Sequence, residues 1–341
     1  MRKIRVLVVD DSVMFRTLLV KSLNDDPAIE VVATASDAYG ARDAIIEHKP
    51  DVMTLDVEMP GMSGIEFLRK LMPQYPLPTV VISALNKMVF DALEAGAVDF
   101  VDKPSGLSNT QLSQFMKREL GTKVKIASTV KVGKLKTPQA VSKNSPHMVD
   151  KSNVQVIAIG ASTGGTEATC SVLKGLGGDL PPILITQHMP PGFTSMYAQR
   201  LNEQCQMVVK EARHGEPVIP GQALVAPGDV QMKLVKDPQG KLVVDCRGKD
   251  RVNGHCPSVD VLFDSVAKVC GGRSMGVILT GMGGDGAKGL LNMRNVGART
   301  IGQDESSCVV YGMPKVAFDI GAVQHQVALS AIPEKIYGLM R

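Results

Sequence analysis

The first 120 residues alternate short apolar runs with amphipathic segments, and no other feature restricts the possible folds of this chain so strongly. The apolar runs predict buried strands and the amphipathic segments predict helices. Five strands alternating with five helices are typical of a parallel sheet covered on both faces, so we expect a flavodoxin-like three-layer sandwich. The predicted strands are 4–9, 30–34, 52–55, 79–82 and 99–101, and the predicted helices are 13–24, 39–48, 65–72, 87–95 and 111–120.

The same alternation resumes at Val154 and predicts a second α/β domain, doubly wound and mostly parallel. Its first strand, 154–159, leads through a glycine-rich turn into a helix over 166–176. The segment 215–251 is rich in turn residues and β-formers, so we expect a β-hairpin insertion there. Further predicted strands are 183–186, 218–219, 223–225, 241–244, 276–279 and 300–301.

The two predicted domains, 1–120 and 153–341, are separated by a basic segment. A chain of 341 residues is about right for two domains of ~150 residues each. Residues 123–151 carry seven lysines and one acid, Asp150. The excess of positive charge in this segment, seven minus one, is larger than the net charge of +4 of the whole chain. Residues 121–152 are therefore predicted to be a flexible basic linker, with docking of a partner through the lysines as the alternative. The remaining surface is near neutral, which argues against nucleic-acid binding.

Composition and hydropathy point to a soluble, cytoplasmic protein. Hydrophobic residues make up 44% of the chain and charged residues 21%, as in ordinary globular proteins. The first apolar run ends at Asp10 and Asp11, which is too early for a secretory signal. No apolar stretch approaches the ~20 residues that a membrane helix needs, so we expect no membrane insertion.

Polar residues at the ends of the predicted strands mark a candidate site in the first domain. Asp10 and Asp11 end the first strand, Asp56 ends the third, Ser83 the fourth, and Lys103 follows the fifth. The carboxyl ends of parallel strands meet at one edge of a sheet, so these side chains should converge. Three carboxylates suit Mg²⁺, and a lysine is a compact cation for phosphoryl oxygens. Five unrelated loop residues would be the alternative, but their common placement makes that improbable.

These positions resemble the receiver domain of two-component response regulators, and the resemblance covers residues 6–120. It implies that Asp56 accepts a phosphoryl group. It also implies that Asp10 and Asp11 hold Mg²⁺ together with Asp56 and the backbone carbonyl of Glu58. A chemotaxis histidine kinase would be the phosphodonor.

The same resemblance assigns the phosphate contact to Lys103 and the switch pair to Ser83 and Phe100. Phe100 stands where tyrosine is often found, and a plain core aromatic is its other interpretation. Phosphorylation adds charge and acceptor oxygens, which can draw the Ser83 hydroxyl inward and repack a face used for domain contacts.

In the second domain the sequence Gly-Ala-Ser-Thr-Gly at 160–164 follows a predicted strand and precedes a predicted helix. This is the context in which a G-x-S-x-G turn presents a nucleophilic serine, here Ser162. The helix N-terminus would favour a developing oxyanion. From this segment alone, a phosphate-binding turn with Ser162 as N-cap is an equal alternative.

A serine nucleophile needs a base, and His188 is the best placed of the six histidines. It follows the next predicted strand, so a parallel βαβ unit brings it to the edge of Ser162. Asp285, in the glycine-rich loop after strand 276–279, is the candidate that orients the imidazole.

Two rival interpretations use the same residues. The loop also spells G-x-G-x-x-G at 281–286, with Asp304 near the position of a ribose-binding acid, which would make the domain an NAD(P)-binding module without hydrolase activity. An α/β-hydrolase order would instead take His325 as the base after Ser162 and Asp285.

The segments IGASTGG (159–165), QHMPPGF (187–193), PSVD (257–260) and LTGMGGDG (279–286) are similar to those of chemotaxis protein-glutamate methylesterases of the CheB type. The resemblance covers nearly all of residues 153–341. It implies that Ser162, His188 and Asp285 form a catalytic triad and that the Met282 amide donates to the oxyanion. It also implies that Thr163 supports the geometry of His188, although Thr163 could equally cap the helix. The implied substrate is a glutamate γ-methyl ester on the cytoplasmic domains of methylated chemoreceptors, with deamidation of receptor glutamines as related chemistry and no cofactor for hydrolysis.

Overall fold

The computed structural model describes residues 2–84, 86–103, 109–130 and 153–340, and these divide into two compact units near residue 135. Long apolar helices of membrane-spanning length are absent from these described ranges. The two units are described separately below.

The first unit is a five-stranded parallel sheet with the strand order β2-β1-β3-β4-β5, as expected for a flavodoxin-like sandwich. Strands β3 and β4 are buried along their whole length because helices cover both faces, which explains why they are mostly apolar. The strands are β1 (Ile4–Val9), β2 (Ile29–Ala35), β3 (Val52–Asp56), β4 (Thr79–Ser83) and β5 (Asp99–Asp102); the helices are α1 (Val13–Asn24), α2 (Ala38–His48), α3 (Gly64–Leu71), α4 (Asn86–Glu94) and α5 (Asn109–Ala127).

Helix starts in this unit follow local side-chain chemistry. Ser12 and Asp37 accept hydrogen bonds from backbone amides at the starts of α1 and α2. Ser63 and Glu66 form a reciprocal capping box at the start of α3. These caps satisfy amides that a helix cannot pair internally, and they fix where each strand-to-helix loop ends.

Helix α5 runs to Ala127, so the prediction that it ends at residue 120 is wrong. Its extra turns bury Val124 and Ala127, and their packing explains why the helix continues. Lys123 and Lys125, predicted to belong to the linker, instead form ion pairs with Asp99 and Asp26 at 2.8 and 2.7 Å. The remainder of the predicted linker, 131–152, lies outside the described residues.

The second unit contains a seven-stranded sheet with the order β14-β13-β12-β6-β7-β9-β8, in which every pairing is parallel. The expected insertion is a separate antiparallel hairpin, β10–β11. The strands are β6 (Val156–Ala161), β7 (Ile183–Gln187), β8 (Val208–Glu211), β9 (Gln222–Val225), β10 (Gln231–Lys236), β11 (Leu242–Gly248), β12 (Ser274–Ile278), β13 (Arg299–Gln303) and β14 (His325–Val327); the helices are α6 (Gly165–Lys174), α7 (Phe193–Gln204), α8 (Val259–Cys270), α9 (Ala287–Asn295), α10 (Met313–Asp319) and α11 (Ile332–Met340).

Two details of the second unit differ from the sequence-based expectation. Residues 218–219 are not a strand; Val218 donates its amide to Leu242 and packs in the core from an irregular segment. Strands β8 and β10 were not predicted, because both carry charged or polar residues among their apolar ones and lack a long hydrophobic run.

Strand β6 lies at the centre of the sheet, with β7 on one side and β12 on the other. The connections leave β6 in opposite directions, which makes its carboxyl end a topological switch point. The loops after β6, β7 and β12 therefore open onto one crevice. Ser162, His188 and the loop that contains Asp285 belong to those three loops.

Candidate active site and receiver site

The turn that carries Ser162 is held tightly to the loop after β12. The Ser162 amide donates to the Thr280 carbonyl at 3.0 Å, and the Thr280 hydroxyl donates to the Thr163 carbonyl at 3.0 Å. A Cβ on Gly281 would lie 2.7 Å from the Ser162 Cβ, so only glycine permits this approach. The nucleophile candidate is thus fixed by the backbone of the neighbouring strand-end loop.

Helix α6 begins at Gly165 and its N-cap is Gly164, which has φ of +75°. Neither Ser162 nor Thr163 caps the helix, so the N-cap interpretations of these two residues are wrong. Thr163 is buried beside the turn. Gln187, at the end of β7, donates from its side chain to the Ser162 carbonyl at 2.8 Å and so ties the turn to the neighbouring strand.

The predicted base and acid are in direct contact. His188 Nε2 lies 2.8 Å from an Asp285 oxygen, and the two side chains are 8% and 1% exposed. The His188 amide donates to the Ala161 carbonyl at 3.1 Å, which places His188 beside the Ser162 turn. The other ring nitrogen, Nδ1, is buried and has no hydrogen-bond partner among the described residues. It is therefore the nitrogen available to a serine hydroxyl.

Asp285 is held as a carboxylate by several donors. Its oxygens accept from the Ser258 hydroxyl at 2.7 Å, the Asn253 side-chain amide at 2.8 Å and the Val259 backbone amide at 2.7 Å. Burial raises the pKa of this carboxyl, but the hydrogen bond and charge of His188, together with Asn253 and Ser258, lower it further, to below its usual range. A permanent negative charge facing His188 Nε2 fixes a proton on that nitrogen and so orients the imidazole ring.

A second histidine, His255, packs against His188. The rings of His255 and His188 are stacked, with centroids 3.7 Å apart and an interplanar angle of 7°. Burial, followed by the nearby His188, lowers the pKa of His255 to about 4, so it is neutral near pH 7. Gln231 in β10 anchors this segment by donating to the His255 carbonyl at 3.1 Å and accepting from the Ser258 amide at 2.8 Å.

The loop after β12 also presents the predicted oxyanion donor. No described residue accepts a hydrogen bond from the Met282 amide, whereas the flanking carbonyl of Gly281 accepts from the amides of Gly312 and Met313 at 3.1 and 2.7 Å. A rigid loop with an uncommitted amide is suited to bind developing negative charge.

The rival interpretations of this domain fail on the same contacts. His325 lies in the edge strand β14, paired with Ile301 of β13, while His188 contacts Asp285. Asp304 accepts from the amide and hydroxyl of Ser307 at 3.0 and 2.6 Å, so its carboxylate caps a local turn. The Asp285 carboxylate contacts His188 Nε2 at 2.8 Å, so a carboxylate in this G-x-G-x-x-G loop is committed to the histidine.

In the first unit, Lys103 bridges two of the predicted acids. Its Nζ lies 2.9 Å from an Asp56 oxygen and 3.1 Å from an Asp10 oxygen. Burial lowers the pKa of Lys103, but the hydrogen bond to Asp56 and the charges of Asp56 and Asp10 raise it further, so the ammonium persists. Ligand atoms of Asp10, Asp11 and Asp56 all lie within 4.8 Å of one another.

These acids fit a divalent cation. Burial raises the pKa of Asp10 to about 6 even though the Lys103 charge lowers it, so the cluster lacks positive charge. A hard cation with oxygen ligands would supply that charge. Asp56 is further positioned by the Glu58 amide, which donates to it at 3.0 Å.

The predicted switch pair lies on neighbouring strands. Ser83 ends β4 and is fully buried, and its carbonyl accepts from the Lys103 amide at 3.0 Å. Phe100 in β5 is also buried, with the Lys123 ammonium 4.9 Å from its ring centroid. Ser83 is therefore linked directly to the backbone of the lysine that contacts Asp56.

Sequence reasoning missed four residues that shape the candidate site around Ser162: Gln187, Asn253, His255 and Ser258. Ser258 lies within the segment 257–260 that carried the family resemblance, so a signal for it existed. Asn253 and His255 lie in an irregular segment, where neither strand nor helix periodicity points to a neighbour in space.

Comparisons with known proteins identify the families that this chain resembles. The family model described as CheB methylesterase matches residues 157–336, and that of the response regulator receiver domain matches residues 6–114. The chain is 57% identical over 340 residues to a protein-glutamate methylesterase/protein-glutamine glutaminase of Syntrophomonas wolfei, covering 100% of this chain and 98% of the relative. A protein of the same description from Syntrophotalea carbinolica is 49% identical over 348 residues, covering 99% and 98%. The crystal structure of the Thermotoga maritima CheB methylesterase catalytic domain is similar with a TM-score of 0.53 and 37% identity, covering 55% of this chain and 98% of that domain.

Proposed function

This chain belongs to the CheB methylesterase family, and we infer from that membership that it is a protein-glutamate methylesterase/protein-glutamine glutaminase with a response regulator receiver domain. The observation that best supports hydrolase chemistry is the 2.8 Å contact between His188 and Asp285, beside the turn that carries Ser162. The nucleotide-binding alternative finds no support.

We propose the following roles in ester cleavage. His188 Nδ1 removes the Ser162 hydroxyl proton while the serine oxygen attacks the ester carbonyl, and the Met282 amide donates to the resulting oxyanion. The tetrahedral intermediate then releases methoxide, which takes the proton from His188 and leaves as methanol. Water deprotonated by His188 hydrolyses the acyl-enzyme to glutamate and free Ser162. Asp285 keeps the imidazole in the tautomer that this sequence needs.

Glutamine side chains fit the same scheme, since an amide carbonyl is attacked in the same way and ammonia leaves instead of methanol. Thr163 and Gln187 would keep the turn that carries Ser162 in position during both reactions. No step needs a cofactor for hydrolysis.

The receiver domain implies control by phosphorylation, typically with Mg²⁺. We propose that Asp56 is the acceptor and that Lys103 contacts the phosphoryl oxygens. Asp10, Asp11, Asp56 and the Glu58 carbonyl would hold Mg²⁺, which would neutralise charge on the transferring group. Ser83 and Phe100 would transmit the change.

Kinase and receptor partners follow in general from a chemotaxis response regulator. We propose that the substrate is the methylated cytoplasmic domain of chemoreceptors and that a chemotaxis histidine kinase supplies the phosphoryl group. The sequence predicts a receiver at 1–120, a linker at 121–152 and a catalytic domain at 153–341. Because α5 continues to Ala127, we propose that the receiver extends to that residue and that the linker lies within 128–152.

Methanol release from methylated receptor membranes tests the proposal. With Mg²⁺ present, we expect release that increases when acetyl phosphate is added, and none from Ser162→Ala. Undiminished release by Ser162→Ala would refute the nucleophile assignment. Methanol release that does not change when acetyl phosphate is added would refute the phosphorylation switch but not the hydrolase activity.

A further inference from the structure

Exposed apolar side chains rim a cavity directly beside the catalytic loop. The cavity has a volume of about 330 Å³, and its walls include Asp285, Gly283, Gly284, Val316 and Ile320. Val316 and Ile320 are 38% and 41% exposed, and Met282 on the adjoining loop is 47% exposed. Such clustering beside a reaction site is typical of surfaces that bind a partner.

Helix α10 holds this surface firmly against the loop. Its Met313 and Ala317 are buried, which fixes the helix on the domain core. Ile320 is the C-cap of the helix, one turn after Val316, and its amide donates to the Val316 carbonyl at 3.1 Å, so the two residues share one side of the helix. A Cβ on Gly284 would lie 3.1 Å from Val316, which shows how closely α10 approaches the loop of Asp285.

The charge at the rim is positive. Lys288 of α9 lines the cavity and is exposed, and no acid among the described residues pairs with it. The two acids in the wall are occupied: Asp260 accepts from the Gly289 amide and the Asn253 side chain at 2.7 Å each, and Asp285 faces His188. An incoming segment therefore meets apolar groups and one unpaired cation.

We propose that Met282, Val316, Ile320 and Lys288 form a docking surface for the receptor helix that carries the methyl ester. The inference rests on the function proposed above. Residues three and four positions from an esterified glutamate lie on the same face of a helix, so a segment that fits this surface carries apolar residues and a carboxylate there. Its apolar stripe packs on Val316 and Ile320, and a carboxylate pairs with Lys288, so the ester lies at the catalytic loop.

Kinetics with two substrates test this surface. Full-length Ile320→Asp and Lys288→Glu are each assayed with methylated receptor membranes and with N-acetylglutamate γ-methyl ester, which is too small to span the surface. We expect the ratio of kcat/KM for the receptor to kcat/KM for the small ester to fall about tenfold, through KM for the receptor. The Lys288→Glu effect should shrink as salt is raised.

Matched controls lie on the same scaffold. Phe318 of α10 is 49% exposed but sits roughly 200° around the helix from Val316, so Phe318→Asp should leave the ratio unchanged. Lys268→Glu changes an exposed lysine of α8 outside the cavity lining and should also leave it unchanged.

Two outcomes of this comparison overturn the docking surface. One is an unchanged ratio in both test variants, including an equal loss with both substrates, and the other is an equal fall of the ratio in the controls. A third outcome, a rise in receptor turnover without acetyl phosphate together with loss of its stimulation, would assign the surface to the receiver. Failure of the unsubstituted enzyme to cleave either ester would instead refute the proposed function itself.

Discussion

The contacts of Asp285 define its role at the scale of single residues. Replacing it by Asn keeps the shape but lets an amide donate to His188 Nε2, which places the imidazole proton on Nδ1. We expect Asp285→Asn to lower kcat for methyl-ester cleavage by about 10⁴, as the loss of tautomer control does in serine hydrolases. Steady-state methanol release measures this. Asp264→Asn, an exposed residue of α8, is the control, and near-normal turnover by Asp285→Asn would assign the acid a loop-holding role.

The stacked ring of His255 suggests a second residue-level effect. An aromatic stack is worth about 0.5–1.5 kcal/mol, so its removal in His255→Ala should lower kcat by up to about tenfold as His188 loses its orientation. His255→Phe keeps a flat ring and should restore most of kcat. Equal losses in the two variants would mean that an imidazole nitrogen of His255 is required, contrary to a positioning role.

His255 also predicts how stability depends on pH. Its pKa in the folded protein is about 4 because it is buried beside His188, whereas an unfolded chain has about 6.5. Between these values the unfolded state binds more protons, so stability decreases as pH falls from about 6.5 towards 4. Thermal unfolding over this range should show a shallower slope for His255→Phe than for the unsubstituted protein. Parallel slopes would contradict the assigned pKa.

At the scale of elements, the close approach of two loops determines the position of Ser162, the proposed nucleophile. Gly281→Ala would place a Cβ 2.7 Å from the Ser162 Cβ, so the loop after β12 and the Ser162 turn must separate. We expect a loss of about 1–3 kcal/mol of stability from overpacking, together with loss of most ester cleavage. Thermal unfolding and methanol release measure the two effects. Gly338→Ala in α11, where a Cβ has open space, should instead be neutral or slightly stabilising.

Element positions were largely predictable from the sequence, and the reasons for the exceptions are physical. Buried parallel strands consist mostly of apolar residues, so β1, β3, β6 and β7 were evident. Strands β8 and β10 combine charged or polar residues with short apolar stretches and gave no such signal. Helix α5 was cut short because its lysines resemble linker composition, whereas they pair with acids of the folded unit.

The residues of the candidate site that follow predicted strands were predictable, whereas those in irregular segments were not. Ser162, His188 and Asp285 each follow a predicted strand, and parallel strand ends meet at one edge of a sheet. Asn253 and His255 reach the site from an irregular segment anchored by Gln231, a long-range contact that no local pattern encodes.

At the scale of the whole molecule, we predict that stimulation of methanol release by acetyl phosphate depends on one carboxylate of the receiver, that of Asp56. Asp56→Ala removes the proposed phosphoryl acceptor, so acetyl phosphate should no longer increase methanol release, while release without it persists. The control Asp43→Ala removes an exposed carboxylate of α2 that pairs only with Arg42 among the described residues. Retained stimulation in Asp56→Ala would mean that the phosphodonor acts elsewhere.

The three strands whose ends carry Ser162, His188 and Asp285 occupy the middle of the seven-stranded sheet, with β8 and β14 at its edges. Fraying begins at edges, and central strands open only with the entire domain. The amide protons of β6 should therefore be among the slowest in this unit to exchange with deuterium. Heat or denaturant should then abolish catalysis in the same transition that melts the sheet, so lost activity reports the unfolded fraction of this domain.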